Sequence, residues 1–578
     1  MTDPHQPPFV IPAGTQVVLR VEIQDASGAR LHPHGAVGIV VKAPADATHS
    51  YRVRFPDGFE ASLKRVELDV RKTAPREALA DAGKELASDD LFDRVIYRVV
   101  IGSRAYGLDH AESDTDRRGV YLPPAERHWS LFGVPEQLEN DASQECYWEL
   151  QKFLTMALKA NPNVLECLWS PLVETATPLA QEMLAMRGAF LSKMIYQTYN
   201  GYVMSQFRKL EQDLRNQGGF RWKHAMHLVR LLLSGVTALR EGRVPVRVEE
   251  HRERLLAIRR GETPWIEVDG WRVELHKEFD EALASSPLPD RPDYEAVNAF
   301  LVRARRSAAI DARPVVTTAS PPAPPNGLII DPRAVAVVRE QPHRLIFATV
   351  SGAHHYGFPS PDSDWDLRGA HVLPIEETSR LDVHGETVQS TAMRDGLEVD
   401  LVTHDVRKFF QMVLKRNGYV LEQIFSPIVV ATSPAHEELK SIATRCITKH
   451  HAHHYFGFAA TERALFRKED PPRVKPLLYI YRVLLTGIHL MKTGEILAHL
   501  PTLAAEAKLE YLHELMRFKI EAKERAVLAK ADLAFHEREH ERLEVALEEA
   551  SQSSTLPEAP QGRAELDDLL VRIRLGRV

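Results

Sequence analysis

The sequence predicts an α/β protein of the α+β kind, made of two related halves behind a small β-rich N-terminal segment. Three observations lead to this prediction. Short strand-like runs alternate with turn signals near the N-terminus. Longer strand-like runs are then followed by amphipathic helical runs, and this order occurs twice. The second series repeats residues of the first, and a chain of 578 residues is too long for one hydrophobic core.

Residues 9–72 form the first predicted unit. Strand-like runs at 15–22, 36–42 and 51–55 are separated by turn signals, of which Pro56-Asp57-Gly58 is the plainest. About five short strands in a segment of this size indicate a small SH3-like β-barrel. We interpret the unit as a structural addition, with a substrate-docking module as the alternative.

The internal repeat is clearest between residues 102–119 and 352–369. Aligned without gaps, these segments share a glycine, a Tyr-Gly pair, a Ser-Asp-x-Asp run and an Arg-Gly pair. Shorter matches continue through the helical regions, with offsets that drift as loop insertions require. We therefore predict two copies of one domain, residues 88–307 and 333–578, joined by a Pro-rich linker at 308–332.

Each copy places an Asp-x-Asp pair behind a strand-like run and a glycine: Asp114 and Asp116 in the first, Asp364 and Asp366 in the second. Alternation along a strand would put both carboxylates on one face. Two such oxygen ligands suit Mg²⁺ when substrate phosphates supply the rest, and a third carboxylate on a neighbouring strand completes a two-metal site. A single Asp-x-Asp is usually solvated surface, but its recurrence at one spacing from a glycine favours a functional site.

The glycine of each copy predicts a turn in which backbone N–H groups approach a triphosphate closely. The first copy follows Gly102 with Ser103, whereas the second has Ser351 before Gly352 and an alanine after it. The two histidines in the second turn, His354 and His355, are candidates for phosphate contact. The tyrosines Tyr106 and Tyr356 either stack on a base or pack within the turn.

The run Gly-Ser-Arg-Ala-Tyr-Gly at 102–107, with Ser-Asp-Thr-Asp-Arg-Arg-Gly at 113–119, resembles the DNA polymerase β-type nucleotidyltransferases associated with RNA ligases, the RlaP or YcgL-like family. The resemblance covers about 88–575. It implies two mixed-sheet palms with attached helices, Mg²⁺ (or Mn²⁺) and a nucleoside triphosphate. It also implies transfer of a nucleotidyl group, with a nucleic-acid end, most plausibly RNA, as the acceptor.

The two copies differ where the third carboxylate belongs. In the second, Asp400 lies in a strand-like run five residues before Asp405, whereas the same step back from Glu149 in the first reaches Gln144. Glutamine is neutral and holds Mg²⁺ poorly. We therefore predict that the second copy carries most catalysis and that the first binds nucleotide or nucleic acid with little turnover, unless Glu145 or Asp141 substitutes.

Basic residues recur in a later helix of each copy. Lys223 and Arg230 in the first copy, and Lys475 and Arg482 in the second, are seven residues apart, so each pair shares one helix face. That face either contacts phosphates or is solvated and salt-bridged. The cluster His450–His454 is open to three interpretations: a metal site, a substrate-facing surface or a partly exposed helix face.

The predicted site is therefore as follows. The predicted metal ligands are Asp114, Asp116, Asp364, Asp366 and Asp400. The predicted nucleotide contacts are Gly102, Ser103, Arg104, Ser351, Gly352, His354, Lys223, Arg230, Lys475 and Arg482.

Composition bounds the remaining possibilities. A net charge of −7 lacks the overall positive charge that is typical of nucleic-acid-binding proteins, although a local basic groove can still bind phosphates. Three scattered cysteines and no long apolar run or signal-like N-terminus predict a cytoplasmic protein without disulfides or a membrane span. The rival functions are a catalytically degenerate nucleotide- or RNA-binding protein, and an enzyme that nucleotidylates a protein or small molecule.

Overall fold

The computed structural model describes most of the chain. The described ranges are 16–21, 23–24, 30–32, 37–42, 44, 50–54, 59–70, 89–110, 113–217, 221–309, 319–325, 328–468, 471–522 and 533–578. The chain divides into two compact units. The first comprises the residues up to Asp93 with Phe132–Glu136, and the second comprises Arg94–Leu131 with Gln137–Val578.

The N-terminal segment contains antiparallel strands. They are β1 (Gln16–Leu19), β2 (Ile23–Gln24), β3 (Arg30–His32), β4 (Val37–Lys42), β5 (Tyr51–Arg54), β6 (Glu60–Leu63) and β7 (Leu68–Val70). Five form a sheet in the order β6-β5-β4-β1-β7, and β2 pairs with β3. Tyr51 and Val53 are buried and the arginines after them are exposed, the alternation expected of a one-sided sheet. Within the described residues β6 and β7 are the sheet edges, so closure into an SH3-like barrel stays a prediction.

Two mixed five-stranded sheets follow, and they have the same topology. The first contains β8 (Val95–Ile101), β9 (Asp116–Tyr121), β10 (Gln137–Asn140), β11 (Glu145–Glu149) and β12 (Val173–Ala176). The second contains β13 (Arg344–Val350), β14 (Trp365–Val372), β15 (Thr387–Arg394), β16 (Leu397–Asp405) and β17 (Val429–Ala431). The orders are β10-β11-β9-β8-β12 and β15-β16-β14-β13-β17. In each sheet only one pair, β9 with β11 or β14 with β16, is parallel.

The helices also correspond between the copies. Copy 1 has α1 (Ser103–Tyr106), α2 (Ala125–His128), α3 (Leu150–Leu158), α4 (Pro162–Trp169), α5 (Pro178–Ala185), α6 (Met194–Gln217), α7 (Trp222–Glu241), α8 (Arg252–Arg259), α9 (Trp265–Ser285) and α10 (Tyr294–Ser307). Copy 2 has α11 (Pro332–Glu340), α12 (Gly352–Tyr356), α13 (Ile375–Thr378), α14 (Val406–Leu414), α15 (Gly418–Phe425), α16 (Pro434–Thr444), α17 (Ala452–Lys468), α18 (Val474–Thr493), α19 (Leu500–Glu506), α20 (Glu510–Ala522), α21 (Leu533–Gln552) and α22 (Arg563–Arg574). Short 3₁₀ turns occupy Arg65–Glu67, Asp89–Arg94, Arg187–Phe190, Glu249–His251 and Lys449–His451. In the described part of the chain, no helix combines the length and apolar character that crossing a membrane requires.

Repeated local signals explain why these segments are helical. The predicted apolar spacing of α3 and α14 is confirmed, because Phe153 and Phe409 are fully buried with their i+4 neighbours. The helices start at side-chain caps, since Glu149 accepts a hydrogen bond from the N–H of Gln151 and Asp405 does so from Arg407. Each cap also forms a buried ion pair with an arginine of the last helix of its copy. These pairs are Glu149–Arg305 and Asp405–Arg574.

A buried Tyr–Glu–Arg triad links the glycine turn of each copy to its helical region. In copy 1, Glu166 of α4 accepts hydrogen bonds from the Tyr106 hydroxyl (2.6 Å) and from Arg230 Nη1 of α7 (2.5 Å). The guanidinium group lies 3.8 Å from the centre of the Tyr106 ring. In copy 2 the corresponding residues are Tyr356, Glu422 and Arg482, with Arg482 Nη1 2.7 Å from the carboxylate and its guanidinium 4.0 Å from the tyrosine ring.

The triads correct two expectations. Arg230 and Arg482 are buried within the helical core, so the face that they share with Lys223 and Lys475 does not present two cations to a triphosphate. Of the two predicted alternatives, the salt-bridged face is correct for the arginines. The tyrosines are also buried, with a guanidinium group against each ring, which favours packing within the turn over base stacking. A buried guanidinium group requires a buried carboxylate, and the repeated glutamate supplies it.

The two copies pack against each other through equivalent residues. The backbone N–H of Leu131 donates to Asp567 of copy 2, and that of Leu381, the equivalent of Leu131, donates to Asn298 of copy 1. Asn298 and Asp567 are themselves equivalent in the repeat. An apolar cluster completes the contact, formed by Ala125, Trp129, Ile375 and Leu575. The duplication therefore contains an internal pseudo-two-fold interface of the isologous kind seen in symmetric dimers.

We predict that Arg482→Met lowers the melting temperature markedly. The change leaves Glu422 buried without its cation, a loss of about 3–5 kcal/mol for a broken buried ion pair. Adding Glu422→Gln removes the stranded charge, so the double variant should recover part of this loss. Thermal unfolding followed by circular dichroism tests both, and a single variant as stable as the wild type would contradict the structural role of the triad.

Candidate active site

The glycine turn of each copy lies directly against an aspartate. Gly102 and Gly352 adopt φ values of 75° and 61°, in the left-handed region that favours glycine. A Cβ atom at Gly352 would lie 2.1 Å from Oδ2 of Asp366, and one at Gly102 would lie 2.9 Å from Oδ2 of Asp116. No other residue allows the turn and the carboxylate to approach so closely, which explains why the glycine recurs with the acidic pair.

The second aspartate of each pair is on a strand, but the first is not. Strand β9 begins at Asp116 and β14 begins at Trp365, so Asp114 and Asp364 belong to the preceding loop. The strand alternation expected for the Asp-x-Asp pair is therefore wrong. Proximity nevertheless holds in copy 2, because the charge of Asp364 contributes to raising the pKa of Asp366.

The third carboxylate lies opposite the second in copy 2. Asp366 of β14 is the register partner of Asp400 in the parallel strand β16. Partners on adjacent strands project from the same face of a sheet, so the two carboxylates share one side. Asp400 is held there by a hydrogen bond from Thr391 Oγ1 (3.1 Å) on strand β15.

In copy 1 the same register position is Gln144. Arg117 pairs with Glu145 in the parallel strands, so the residue opposite Asp116 is Gln144. A second observation supports this equivalence: Arg118 Nη1 donates to the carbonyl of Gln144, as Arg368 Nη1 donates to the carbonyl of Asp400. Glu145 is one residue further along.

Arg368 bridges the carboxylates of copy 2. Its Nη2 donates to Asp366 Oδ1 (2.8 Å) and to Asp400 Oδ2 (3.1 Å), and its Nε donates to the Tyr419 hydroxyl (3.0 Å). The guanidinium group thus neutralises two carboxylates that would otherwise repel each other. The equivalent contact in copy 1 is looser, with Arg118 Nη2 3.6 Å from Asp116.

Burial raises the pKa of Asp366, and the nearby carboxylates of Asp364 and Asp400 raise it further. Arg368 and Lys475 oppose this shift. The predicted site residues Asp364, Asp366, Asp400 and Lys475 are therefore within electrostatic range of one another. A raised carboxyl pKa means that the folded chain holds a charge that its surroundings disfavour, a feature common at functional sites.

The acidic side chains of copy 2 are of the chemical type that binds a divalent cation. Carboxylate oxygens are the ligands that Mg²⁺ and Mn²⁺ prefer, and Asp364, Asp366 and Asp400 can supply them. Within the described ranges, however, no group of three or more histidine, cysteine, aspartate or glutamate side chains is already arranged to hold a metal ion. Arg368 occupies part of this site, because its guanidinium group bonds one oxygen of Asp366 and one oxygen of Asp400.

Each copy has a cavity at this site, and the two are lined differently. The copy 1 cavity is about 340 Å³, with lining residues Ile101, Gly102, Ser103, Tyr106, Leu108, His110, Ser113, Asp114, Asp116, Arg118, Lys223, Met226, His227 and Arg259. The copy 2 cavity is about 270 Å³, with lining residues Ser351, Gly352, Tyr356, Asp366, Tyr419, Phe458 and Tyr479. The copy 1 cavity thus contains basic side chains beside its acidic pair, whereas the copy 2 cavity contains aromatic rings beside Asp366.

Two predicted contacts face elsewhere. Arg104 donates from Nη2 to the carbonyl of Ser113 (2.7 Å) and from Nε to that of Asp114 (3.3 Å), so it braces the acidic loop rather than lining the cavity. His354 stacks on Trp365 with ring centres 4.1 Å apart, and burial lowers its pKa. His354 is not among the residues that line the copy 2 cavity, and its stacking on Trp365 favours a packing role over the expected phosphate contact.

The histidine cluster does not form a metal site within the described ranges. His450 Nε2 lies 2.8 Å from a carboxylate oxygen of Glu558, and His451 caps the short turn that begins after Thr448. Burial lowers the pKa of His451 to about 4. These two histidines therefore stabilise the junction of neighbouring segments.

Several lining residues were not predicted from the sequence. Arg259 comes from α8 and donates to the carbonyl of Leu108 (2.9 Å), while Phe458 comes from α17. Neither belongs to a repeated motif. His227 and Tyr479 had a detectable signal, because each follows the repeated lysine by one helical turn and so shares its face. Burial lowers the pKa of His227 to about 3, so its imidazole is neutral near pH 7.

Copy 2 also contains a buried lysine beside the acidic loop. Lys519 of α20 donates from Nζ to the hydroxyls of Ser360 (2.9 Å) and Ser363 (3.1 Å), immediately before Asp364. In copy 1 the corresponding loop is held by Arg259 from α8 instead. Each copy therefore ties the loop before its acidic pair to a cation from the helical region, although the cation comes from a different helix.

Two mixed sheets, each with a glycine turn packed against a strand-borne aspartate, define a duplicated α+β protein with one site in each copy. The sequence matches the family described as RlaP, the RNA repair pathway DNA polymerase beta family, over residues 73–303 and again over 330–572. Because these two matches span most of the chain, it belongs to this family as a tandem duplication.

Two curated relatives match shorter segments. The uncharacterized protein MJ0002 of Methanocaldococcus jannaschii is 36% identical over 150 residues, which are 26% of this chain and 61% of that protein. The uncharacterized protein YcgL of Bacillus subtilis is 36% identical over 83 residues, which are 14% of this chain and 32% of that protein. The chain thus spans less than two thirds of the length of either relative.

We predict that Asp366→Asn stabilises the metal-free protein at neutral pH. The raised pKa of Asp366 means that its charge costs stability above that pKa and that this cost disappears as the pH falls through it. The gain in melting temperature should therefore be present at pH 7.5 and shrink on acidification, as measured by thermal unfolding with a chelator. Asp116→Asn, at the more exposed copy 1 site, is the matched control and should change the melting temperature little. A destabilised Asp366→Asn variant at pH 7.5 would contradict this account.

Proposed function

We propose that the chain is a Mg²⁺-dependent nucleotidyltransferase that moves an NMP group from a nucleoside triphosphate to a hydroxyl, with an RNA end as the acceptor. The observation that carries the proposal is the pairing of Asp366 with Asp400 across parallel strands, beside Asp364 and against the glycine turn. Carboxylates that lie together next to a glycine turn suit phosphoryl transfer. Membership of a DNA polymerase β family described by an RNA repair pathway supports both the reaction class and the acceptor.

The reaction balances without any further reactant. The acceptor hydroxyl oxygen forms a bond to the α-phosphorus, the bond from that phosphorus to the bridging oxygen breaks, and pyrophosphate leaves while the hydroxyl proton passes to solvent. Bound Mg²⁺ would supply charge neutralisation and lower the pKa of the attacking hydroxyl. Asp364, Asp366 and Asp400 would hold it.

The chain's own residues supply the remaining roles in this proposal. The backbone N–H groups that follow Ser351 and Gly352 offer donors to phosphate oxygens, because α12 starts there. Lys475 adds positive charge at the site, as its effect on Asp366 indicates. Arg368, which donates from Nη1 to the carbonyls of Leu367 and Asp400, would offer its guanidinium group to a phosphate beside these carboxylates.

The copies are proposed to divide the work. Copy 2 has the full set of carboxylates, whereas copy 1 has Gln144 where Asp400 belongs, with a cavity that contains Lys223 and Arg259. A neutral amide holds Mg²⁺ poorly, but cations around Gly102 and Ser103 can hold phosphates. Copy 1 is therefore proposed to bind nucleotide or nucleic acid with little turnover. In this proposal one half of the chain serves for binding and the other for catalysis.

The direct test is incubation with Mg²⁺ and each labelled nucleoside triphosphate, alongside RNA, DNA and protein acceptors. Label should enter RNA and should be lost on chelation. Label entering only protein or a small molecule would replace the acceptor assignment, and nucleotide binding without any transfer would favour the degenerate binding protein.

We predict that Asp364→Ala/Asp366→Ala reduces transfer by at least about a hundredfold, because it removes several kcal/mol of transition-state stabilisation. The matched Asp114→Ala/Asp116→Ala variant should retain most turnover. Both should stay folded by circular dichroism, since carboxylates at a metal site contribute little to stability. Loss of turnover only with the copy 1 pair would place catalysis in the N-terminal copy.

We also predict that Gln144→Asp confers transfer activity on copy 1 in a chain whose copy 2 is disabled by Asp364→Ala/Asp366→Ala. Gln144 has a φ of 53°, a conformation that aspartate tolerates, and the new carboxylate would stand at the chain position that corresponds to Asp400. We expect a gain of at least about tenfold over the disabled chain. Gln144→Asn, which has the shape of aspartate without its charge, is the control and should give none. Equal rates for the two variants would show that the missing carboxylate does not limit copy 1.

A further inference from the structure

Three partly exposed aromatic rings form a recess beside the glycine turn of copy 2. Tyr419 comes from α15, Phe458 from α17 and Tyr479 from α18, and all three line the same cavity as Ser351 and Asp366. We call Tyr419, Phe458 and Tyr479 the aromatic recess. Its members come from different helices, so the recess is a product of tertiary packing.

Rigid surroundings hold the recess in shape. Behind it lies the buried ion pair of Arg482 with Glu422, and the guanidinium carbon is 5.7 Å from the centre of the Phe458 ring and 5.9 Å from that of Tyr479. Tyr479 also packs edge-on against Tyr356, with centroids 5.5 Å apart and planes at 90°. The hydroxyl of Tyr419 is fixed by Arg368. Preorganised rings lose little conformational entropy when a ligand stacks on them.

The lining of the recess is aromatic rather than basic. No lysine, arginine or histidine is among the residues that line the copy 2 cavity. In contrast, the copy 1 cavity contains Lys223, Arg259 and two histidines, and the position of Tyr479 is taken there by His227. Aromatic rings favour a planar π-system, and the guanidinium group of Arg368 beside them is already bonded to Asp366 and to the Tyr419 hydroxyl.

The size and position of the cavity restrict further the class of ligand that can occupy it. At about 270 Å³ it falls just below the roughly 300–1,000 Å³ of drug-sized ligand pockets, which suits one ring system rather than a polynucleotide segment. The cavity also borders Gly352 and Asp366. A ligand in the recess can therefore be part of the same molecule as a group bound at the glycine turn and the carboxylates. A heterocyclic base attached to a triphosphate meets both conditions.

We propose that the aromatic recess binds the base of the nucleoside triphosphate and selects for the presence of a base rather than for its identity. This inference rests on the proposed function of copy 2. Stacking on aromatic rings tolerates every base, because each base has a π-face. Apart from the Asp366 carboxylate, which the proposed function assigns to the metal, the polar side chains at the cavity are hydroxyls, which both donate and accept hydrogen bonds and so read no single base edge.

The experiment measures equilibrium binding in the full chain, with the cations of the copy 1 cavity removed by Lys223→Ala/Arg259→Ala so that copy 2 is observed. The probes are ATP, GTP, CTP, UTP and inorganic tripolyphosphate, each with Mg²⁺. We expect the four nucleotides to bind within about tenfold of one another, and each to bind about ten- to hundredfold more tightly than tripolyphosphate.

The recess variants are Tyr479→Leu and Phe458→Leu, which keep apolar volume but remove the ring. Each should lose most of the advantage of nucleotides over tripolyphosphate while leaving tripolyphosphate binding unchanged. Tyr479→Phe, which keeps the ring, should bind like the parent chain. Melting temperatures confirm that the variants are folded, and having two leucine variants at separate helices keeps the test valid if one of them unfolds.

The outcomes separate this inference from the proposed function. Nucleotides that bind no tighter than tripolyphosphate, leucine variants that bind like the parent, or a preference above a hundredfold for one base would each overturn the recess assignment, even with transfer intact. Nucleotides that bind as expected, but with no transfer to any acceptor, would support the recess and remove the proposed function. Failure of every triphosphate to bind would overturn both.

Discussion

The buried glutamate of each copy, Glu166 or Glu422, is the constraint on which the rest of the site depends. It lies at the junction of the glycine turn, the helix after the sheet and the long helix of the helical region, and it accepts hydrogen bonds from a tyrosine and an arginine. A buried carboxylate without these partners would be costly, so the three elements are locked in one arrangement. The turn is thereby held against the strand aspartate closely enough that only glycine fits.

Duplication places two versions of this scaffold in one chain with different polar linings. In copy 2, Arg368 neutralises Asp366 and Asp400, which lets mutually repelling carboxylates sit together before any cation binds. In copy 1, with Gln144 at the third position, Arg118 has a weaker attraction to Asp116 and lies further from it. The two sites thus differ in charge at the position opposite the strand aspartate, which is Gln144 in copy 1 and Asp400 in copy 2. Meanwhile the helices and the interface between copies keep their equivalent contacts, such as those of Leu131 and Leu381.

Much of the site was predictable because its residues lie close in sequence or recur in both copies. The glycine turn, the acidic pairs and the inequivalence of Gln144 and Asp400 could be identified by alignment of the chain with itself, and the strand register agrees with the last of these. Errors arose where sequence spacing does not reveal burial. Arg230 and Arg482 share a helix face with the repeated lysines, but a helix that is buried on several sides has no face open to substrate at the second position. His354 lies in the turn, yet it packs on Trp365.

By itself, the sequence determined the duplication, the family, the order of strands and helices, and the identity of the acidic residues, because these depend on local pattern and on comparison of one half with the other. Tertiary structure alone decided which cations face each cavity, that Arg368 occupies the space between Asp366 and Asp400, and that rings from three helices meet beside Gly352. Residues such as Arg259, Phe458 and Lys519 are far from the motifs in the chain and belong to no repeat. Their positions follow from how the helices pack, a property of side-chain volumes across the whole core that no short stretch of sequence contains.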